Sequence, residues 1–138
     1  MDVRKPTFCS IEVLYNCILK CKMCHMWKNP RSLEEMSIED WKKFIVTLKE
    51  FTGTSTSINI TGGEPLLKEG VLDLARFTVQ SGFNAVSMTT NGFLIDKSIS
   101  QAIADSGMSM ISMSLDSIDE EVHDNIRGVK GACRKVMD

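Results

Sequence analysis

The sequence predicts an α/β fold with a parallel sheet, apolar toward covering helices and polar on the inside of a barrel or half-barrel. Three observations predict it. Strand-like and helix-like stretches alternate as βα four times, an order that implies parallel strands joined by right-handed crossovers. The last three strands begin about 25 to 30 residues apart, one βα unit each. Two strands are apolar on one side only: Ile58 and Ile60 alternate with Asn59 and Thr61, and Ile111, Met113 and Leu115 alternate with Ser112, Ser114 and Asp116. A strand buried on both faces of a doubly wound sheet would be apolar throughout. An exposed sheet face would give the same pattern, but a polar barrel interior is the simpler reading.

Each element has its own signal. Residues 9–16 read as the first strand, with Ile11, Val13 and Tyr15 alternating. A cysteine-rich loop follows, from Cys17 to about Met36. Ser37 is an N-cap with Asp40 three residues on, as in a capping box. Ile38, Trp41, Phe44, Ile45 and Leu48 then fall at helical spacing, and Gly53 closes that helix. Residues 57–61 form the second strand. Leu66, Leu67, Val71, Leu74, Ala75 and Thr78 predict a helix ending near Gly82. Residues 85–90 form the third strand. Asp96 caps a helix carrying Ile99, Ala102 and Ile103, which stops at Gly107. Residues 110–115 form the fourth strand. Ser117 and Glu120 make a second capping box, opening a short helix through Ile126 on which His123 is expected to face solvent. A last helix begins near Ala132.

Composition bounds the function. The 138 residues suit one domain. Lysine and arginine number 16, aspartate and glutamate 18, for a net charge of −2. So balanced a surface argues against a nucleic-acid or membrane partner held by charge. No apolar run approaches the roughly 18 residues of a membrane span, and the start, from Met1 to Pro6, has no secretory apolar stretch. The expected location is cytoplasmic. Most of the nine methionines are expected in the core, where Met packs adaptably. A closed (β/α)8 barrel needs roughly 250 residues, so four units leave a sheet open or a barrel unfinished. With the chain stopping inside a starting helix, residues 1–138 are expected to be a single core domain, truncated at its C-terminal side.

The five cysteines carry the chemistry. Cys17, Cys21 and Cys24 form C-x3-C-x2-C; Cys9 and Cys133 stand apart. Clustered cysteines in a reducing compartment point to metal ligands rather than a disulfide framework. Three thiolates are one short of the usual four for zinc or for a cubane cluster. An open coordination position is what catalysis at a metal needs. Zinc remains an alternative, with His25 or Cys9 as fourth ligand. Cys9 and Cys133 otherwise read as buried small hydrophobes.

Four motifs in order resemble the radical S-adenosylmethionine superfamily. They are Cys17-x3-Cys21-x2-Cys24 after the first strand, Thr61-Gly62-Gly63-Glu64-Pro65 after the second, Thr89-Thr90-Asn91-Gly92 after the third, and Ser114-Leu115-Asp116 after the fourth. The stretch His123-Asp124-Asn125-Ile126-Arg127-Gly128 is similar to one in members related to molybdenum-cofactor enzymes and to SPASM-type peptide-modifying maturases. Each motif sits at the C-terminal end of a strand, where sites form in α/β folds.

The resemblance implies a (βα)4 portion of a partial (β/α)6 TIM-like barrel. It implies a [4Fe–4S] cluster on Cys17, Cys21 and Cys24, its fourth iron open to the amino and carboxylate groups of S-adenosyl-L-methionine. It implies an enzyme that cleaves that cofactor reductively to methionine and a 5′-deoxyadenosyl radical, which takes hydrogen from a substrate, small molecule or peptide. An electron donor such as ferredoxin or flavodoxin is implied as partner. Carried over by position, Thr61, Gly62, Gly63 and Glu64 hold the methionine amino group, the two glycines letting backbone approach the ligand. Thr90 and Ser114 hold the carboxylate and ribose. Asp116 reaches the ribose or caps the next helix. Met23 stands where the family usually has an aromatic residue near the adenine; Trp27 is the other aromatic candidate. The competing readings are a zinc-binding structural or interaction module, and an inactive fragment that keeps the cluster motif.

Overall fold

The computed structural model describes residues 4–28 and 35–138. The part of the cysteine loop at positions 29–34 lies outside them. Four strands alternate with helices: β1 (Phe8–Glu12), α1 (Ile38–Thr52), β2 (Ser57–Thr61), α2 (Val71–Gln80), β3 (Ala85–Thr90), α3 (Lys97–Asp105), β4 (Met110–Met113), α4 (Glu120–Arg127) and α5 (Ala132–Met137). The strands form one parallel sheet in the order β1-β2-β3-β4, so each βα unit adds the next neighbour. Within the described residues the sheet is open, with β1 and β4 as its edges.

The predicted alternation decides what each face does. Ile58, Ile60, Val86 and Met88 are buried together with Ile45 from α1 and Leu74 and Ala75 from α2. The opposite face is a polar ladder. Asn59 Nδ2 donates to Ser10 Oγ (3.3 Å), and Asn59 Oδ1 accepts from Ser87 Oγ (3.0 Å) and Thr89 Oγ1 (3.2 Å). Polar residues thus satisfy one another across three strands instead of leaving donors unmatched. At the edge strand β4, Ile111 packs on the core, but Met113 and Leu115 are exposed. Met23, Met36, Met110 and Met137 are exposed too, so most of the placed methionines are not core fillers.

The caps are local physics. Ser37 Oγ accepts from Asp40 N (3.1 Å) and donates to Asp40 Oδ2 (2.7 Å), a variant of the box in which the acidic side chain meets the hydroxyl. Asp96 accepts from Ile99 N (2.8 Å). At α4 the cap is Asp119, whose Oδ1 takes Glu121 N and Val122 N. Ser117, the expected cap, turns the chain two residues earlier by accepting from Asp119 N. The expected helix across 66–78 begins as a 3-10 turn at Pro65–Leu67, and α2 proper starts after Gly70, whose φ of 79° no helix tolerates. His123 is 1% exposed, not solvent-facing: its Nδ1 accepts from Asp116 N (3.1 Å), which draws the ring beneath the β4–α4 turn.

Candidate active site

The strand ends converge on the cysteine loop because backbone pairing does not stop where the regular strands do. After Glu12 the chain continues beside the residues following β2: Val13 N donates to Thr61 O, Gly63 N to Leu14 O and Glu64 N to Asn16 O, each at 2.9 Å. The predicted strand 9–16 is therefore regular only to Glu12 and paired nearly to its end. The glycines make this possible. Gly62 has φ 148°, and a Cβ there would overlap Leu14 O; a Cβ on Gly63 would overlap the carbonyl of Asn16. The close approach expected between this segment and a ligand is first an approach between two pieces of this chain. It sets the base of the loop that carries Cys17.

The far side of the loop rests on α4. Lys20 N donates to Arg127 O (3.0 Å) and Lys22 N to Ile126 O (2.9 Å), so the residues flanking Cys21 use the carbonyls at the C-terminal end of α4. Gly128 ends that helix at φ 70°, where a Cβ would overlap Lys20 O. Lys22 Nζ also donates to Asn125 Oδ1 (2.6 Å). Trp27 donates its indole N–H to Cys21 O (3.0 Å) and so packs the loop rather than the cavity.

Between these supports lies a cavity of about 270 Å³. Its wall includes all three thiols of the motif, Cys17, Cys21 and Cys24, together with Met23, Thr61, Gly62, Gly63, Thr90 and Ser114. Nine residues singled out in the sequence are thus brought to one space from four segments of the chain. Glu64 and Asp116 are not on its wall. Glu64 is fully buried below it: Oε1 accepts from Thr90 Oγ1 (2.6 Å) and Leu66 N (3.1 Å), and Oε2 from Asn91 N (2.8 Å). Its carboxylate braces the end of β2 against the end of β3. Asp116 lies 2.7 Å from Arg127 Nε. That approach is too oblique for a hydrogen bond, since Nε–H has no aligned acceptor, and it is an ion pair.

Two residues on the wall that reach the sulfurs had no role from sequence. Asn91 points its amide at Cys17 Sγ (3.7 Å), and Arg127 its Nη1 at Cys21 Sγ (3.8 Å). Both lie inside quoted motifs, Thr-Thr-Asn-Gly and Asn-Ile-Arg-Gly, and that placement was their only signal. Burial pushes the Cys17 thiol above its ordinary pKa; the Leu19 amide and Asn91 side chain pull it down, and the charge of Glu64 pushes it up.

The donor set tests the metal readings. All five cysteines are free. Among the described residues no three His, Cys, Asp or Glu side chains close on a single-ion site. One zinc ion would need its sulfurs about 2.3 Å from a common centre. Thiols spread around a cavity of this size suit a group that offers each sulfur its own metal atom. His25 is exposed and Cys9 sits in β1 against the core, so neither joins the three on the wall. A second cleft, of about 460 Å³ and lined by Ile95, Lys97, Met113 and Val136, holds no thiol.

Known proteins resemble this chain along most of its length. Residues 11–138 match the family model described as the radical SAM superfamily. The chain is 37% identical to the Fe-coproporphyrin III synthase of Methanosarcina barkeri, over 84% of this chain and 28% of that protein. It is 32% identical to the antilisterial bacteriocin subtilosin biosynthesis protein AlbA of Bacillus subtilis, over 92% of this chain and 28% of the relative. With a probable GTP 3′,8-cyclase of Archaeoglobus fulgidus it shares 34% identity, over 97% of this chain and 43% of the relative. It therefore spans less than half the length of these curated relatives. Among solved structures, Streptococcus suis SuiB bound to the precursor peptide SuiA superposes with a TM-score of 0.79 at 24% identity, covering 96% of this chain and 29% of that one. SuiB bound to S-adenosylmethionine gives 0.75 at 24% identity, covering 95% and 28%. The likeness shows the fold, a four-unit portion of a TIM-like barrel whose sheet is not closed.

Proposed function

Because this chain belongs to the radical SAM superfamily, we propose that its cavity holds a [4Fe–4S] cluster on Cys17, Cys21 and Cys24 and S-adenosyl-L-methionine beside it. The observation that carries the reading is the shared wall: three free cysteines line one cavity of about 270 Å³ together with Thr61, Gly62, Gly63, Thr90 and Ser114. When bound, the cluster would supply the electron for reductive cleavage of the sulfonium, releasing methionine and the 5′-deoxyadenosyl radical that abstracts hydrogen from a substrate.

The chain's own residues orient and shield. Thr61 and the Gly62–Gly63 segment offer polar and backbone groups to the methionine end. Ser114, on the last described strand, offers a hydroxyl from the other side. Thr90 has already committed its proton to Glu64 and accepts from Gly92 N (3.1 Å), so it shapes the wall more than it binds. Met23, 58% exposed at the cavity mouth, can lay its thioether on a purine ring. Glu64 contributes by bracing Thr90 and Asn91, and Asp116 by holding Arg127.

The relatives' names range over a porphyrin, a peptide product and a nucleotide, so the substrate is proposed only as a small molecule or peptide. An external electron donor of the ferredoxin or flavodoxin kind and a cytoplasmic location complete the reading. The described residues contain no helix long and apolar enough to cross a membrane. Residues 1–138 are proposed as part of one core domain, which the relatives complete with longer chains.

The test is anaerobic reconstitution with iron and sulfide, followed by reduction in the presence of S-adenosylmethionine. Broad visible charge-transfer absorption and formation of 5′-deoxyadenosine are expected. Stoichiometric zinc in a colourless protein would favour the structural-module reading; a coloured protein yielding no 5′-deoxyadenosine would favour the inactive fragment.

A further inference from the structure

Arg127 is the cationic side chain on the cavity wall. It is only 14% exposed, and its Nη1 lies 3.8 Å from Cys21 Sγ. The position is held from three directions. Asp116 pairs with Nε at 2.7 Å. Asp116 is itself held by buried His123, whose Nδ1 takes its backbone N–H. The Arg127 carbonyl accepts from Lys20 N, next to Cys21. A guanidinium keeps its charge at any pH a protein survives, so this is a fixed positive charge and a donor aimed at one sulfur.

Hydrogen bonds to ligand sulfurs and nearby charge are the means by which a protein sets the potential of an iron–sulfur group. A positive charge stabilises the reduced form, which carries one more electron. Resting on the cluster reading above, we propose that Arg127, oriented by Asp116, is a positioning residue that raises the reduction potential of the cluster through Cys21. The α4 end would then serve the site twice, by backbone support of the loop and by this charge.

The experiment uses the full chain, reconstituted anaerobically, with iron and sulfide counted and the midpoint potential read by EPR-monitored titration. R127M keeps length and loses charge and donor. Its iron content should match the parent and its midpoint should fall; R127K should recover part of the difference. An R127M midpoint equal to the parent's at equal iron overturns the proposal. Should R127M shed its iron, R127Q, which keeps an N–H but no charge, decides: a lower midpoint supports the proposal and an unchanged one overturns it. Iron loss in R127M, R127Q and R127K alike makes Arg127 a prop for the loop and overturns the electrostatic role. A parent that binds no iron overturns the cluster reading itself, a result told apart from the others by the iron count alone.

Discussion

Replacing Glu64 by Gln separates a structural brace from a cofactor ligand. The buried carboxylate takes three donors: Thr90 Oγ1 and Leu66 N on Oε1, and Asn91 N on Oε2. A glutamine has one acceptor oxygen. Placing it at the Oε1 site keeps two bonds and turns the amide NH2 toward Asn91 N–H, donor against donor. The opposite placement sets the NH2 against Leu66 N–H and turns the Thr90 hydroxyl from donor to acceptor, so either way one bond is lost. One bond to a charged acceptor then becomes an unmatched buried donor, costing about 2–3 kcal/mol. For a chain of 138 residues, each kcal/mol moves Tm by roughly 3–5 °C, so Glu64→Gln should melt about 6–15 °C below the parent. The assay is thermal unfolding followed by far-UV circular dichroism at neutral pH, beside cofactor affinity of the reconstituted protein. A melting point within about 2 °C of the parent, with cofactor affinity sharply weakened, would refute the brace and restore Glu64 as a ligand.

Three further outcomes are expected. Cys17→Ala, Cys21→Ala and Cys24→Ala should each lose most of the iron on reconstitution, while Cys9→Ala and Cys133→Ala keep it, as metal analysis will show. Gly63→Val should also lose iron, because its side chain collides with the Asn16 carbonyl and displaces the loop; Ser114→Ala should keep iron and weaken S-adenosylmethionine binding by about 0.5–1.5 kcal/mol, measured by calorimetry. Asp124 is held below the usual carboxylate range by the amides of Cys133 and Gly131. Its contribution is present above the unfolded pKa of about 3.9 and is lost as pH falls through the lower folded value. The urea midpoint of Asp124→Ala should therefore lie below the parent's at pH 7, and the two should converge in acid.

The fold and the thiols were legible because their signals are local. Periodicity located β2 and β3 to the residue, and the strand-end motifs supply most of the cavity wall. What stayed hidden depends on distant partners. Gly62 and Gly63 read as room for a ligand, yet their missing side chains make room for Leu14 and Asn16, some 48 residues earlier in the chain. His123, flanked by Val122 and Asp124, reads as surface; only the turn after β4 reveals the N–H that draws it inside. Asp119 displaced Ser117 as the α4 cap because both residues suit the role, and spacing alone does not choose between them. Asn91 and Arg127 carried no ligand-like spacing with the cysteines, since they meet the sulfurs across 74 and 106 residues of chain.

Those separations also order events in time. The β1–β2 ladder can close once about sixty residues have left the ribosome, and it presents Cys17 on a half-fixed loop. The amides of Lys20 and Lys22 find their acceptors only when α4 has been made, more than a hundred residues after them. Long closures of this kind cost entropy before they return contacts and slow folding. During synthesis the three thiols therefore pass through an interval in which they are tethered near one another but not yet walled in. In that interval they are open to oxidants and to whatever metal the cell offers first, and the docking of α4 is what closes it.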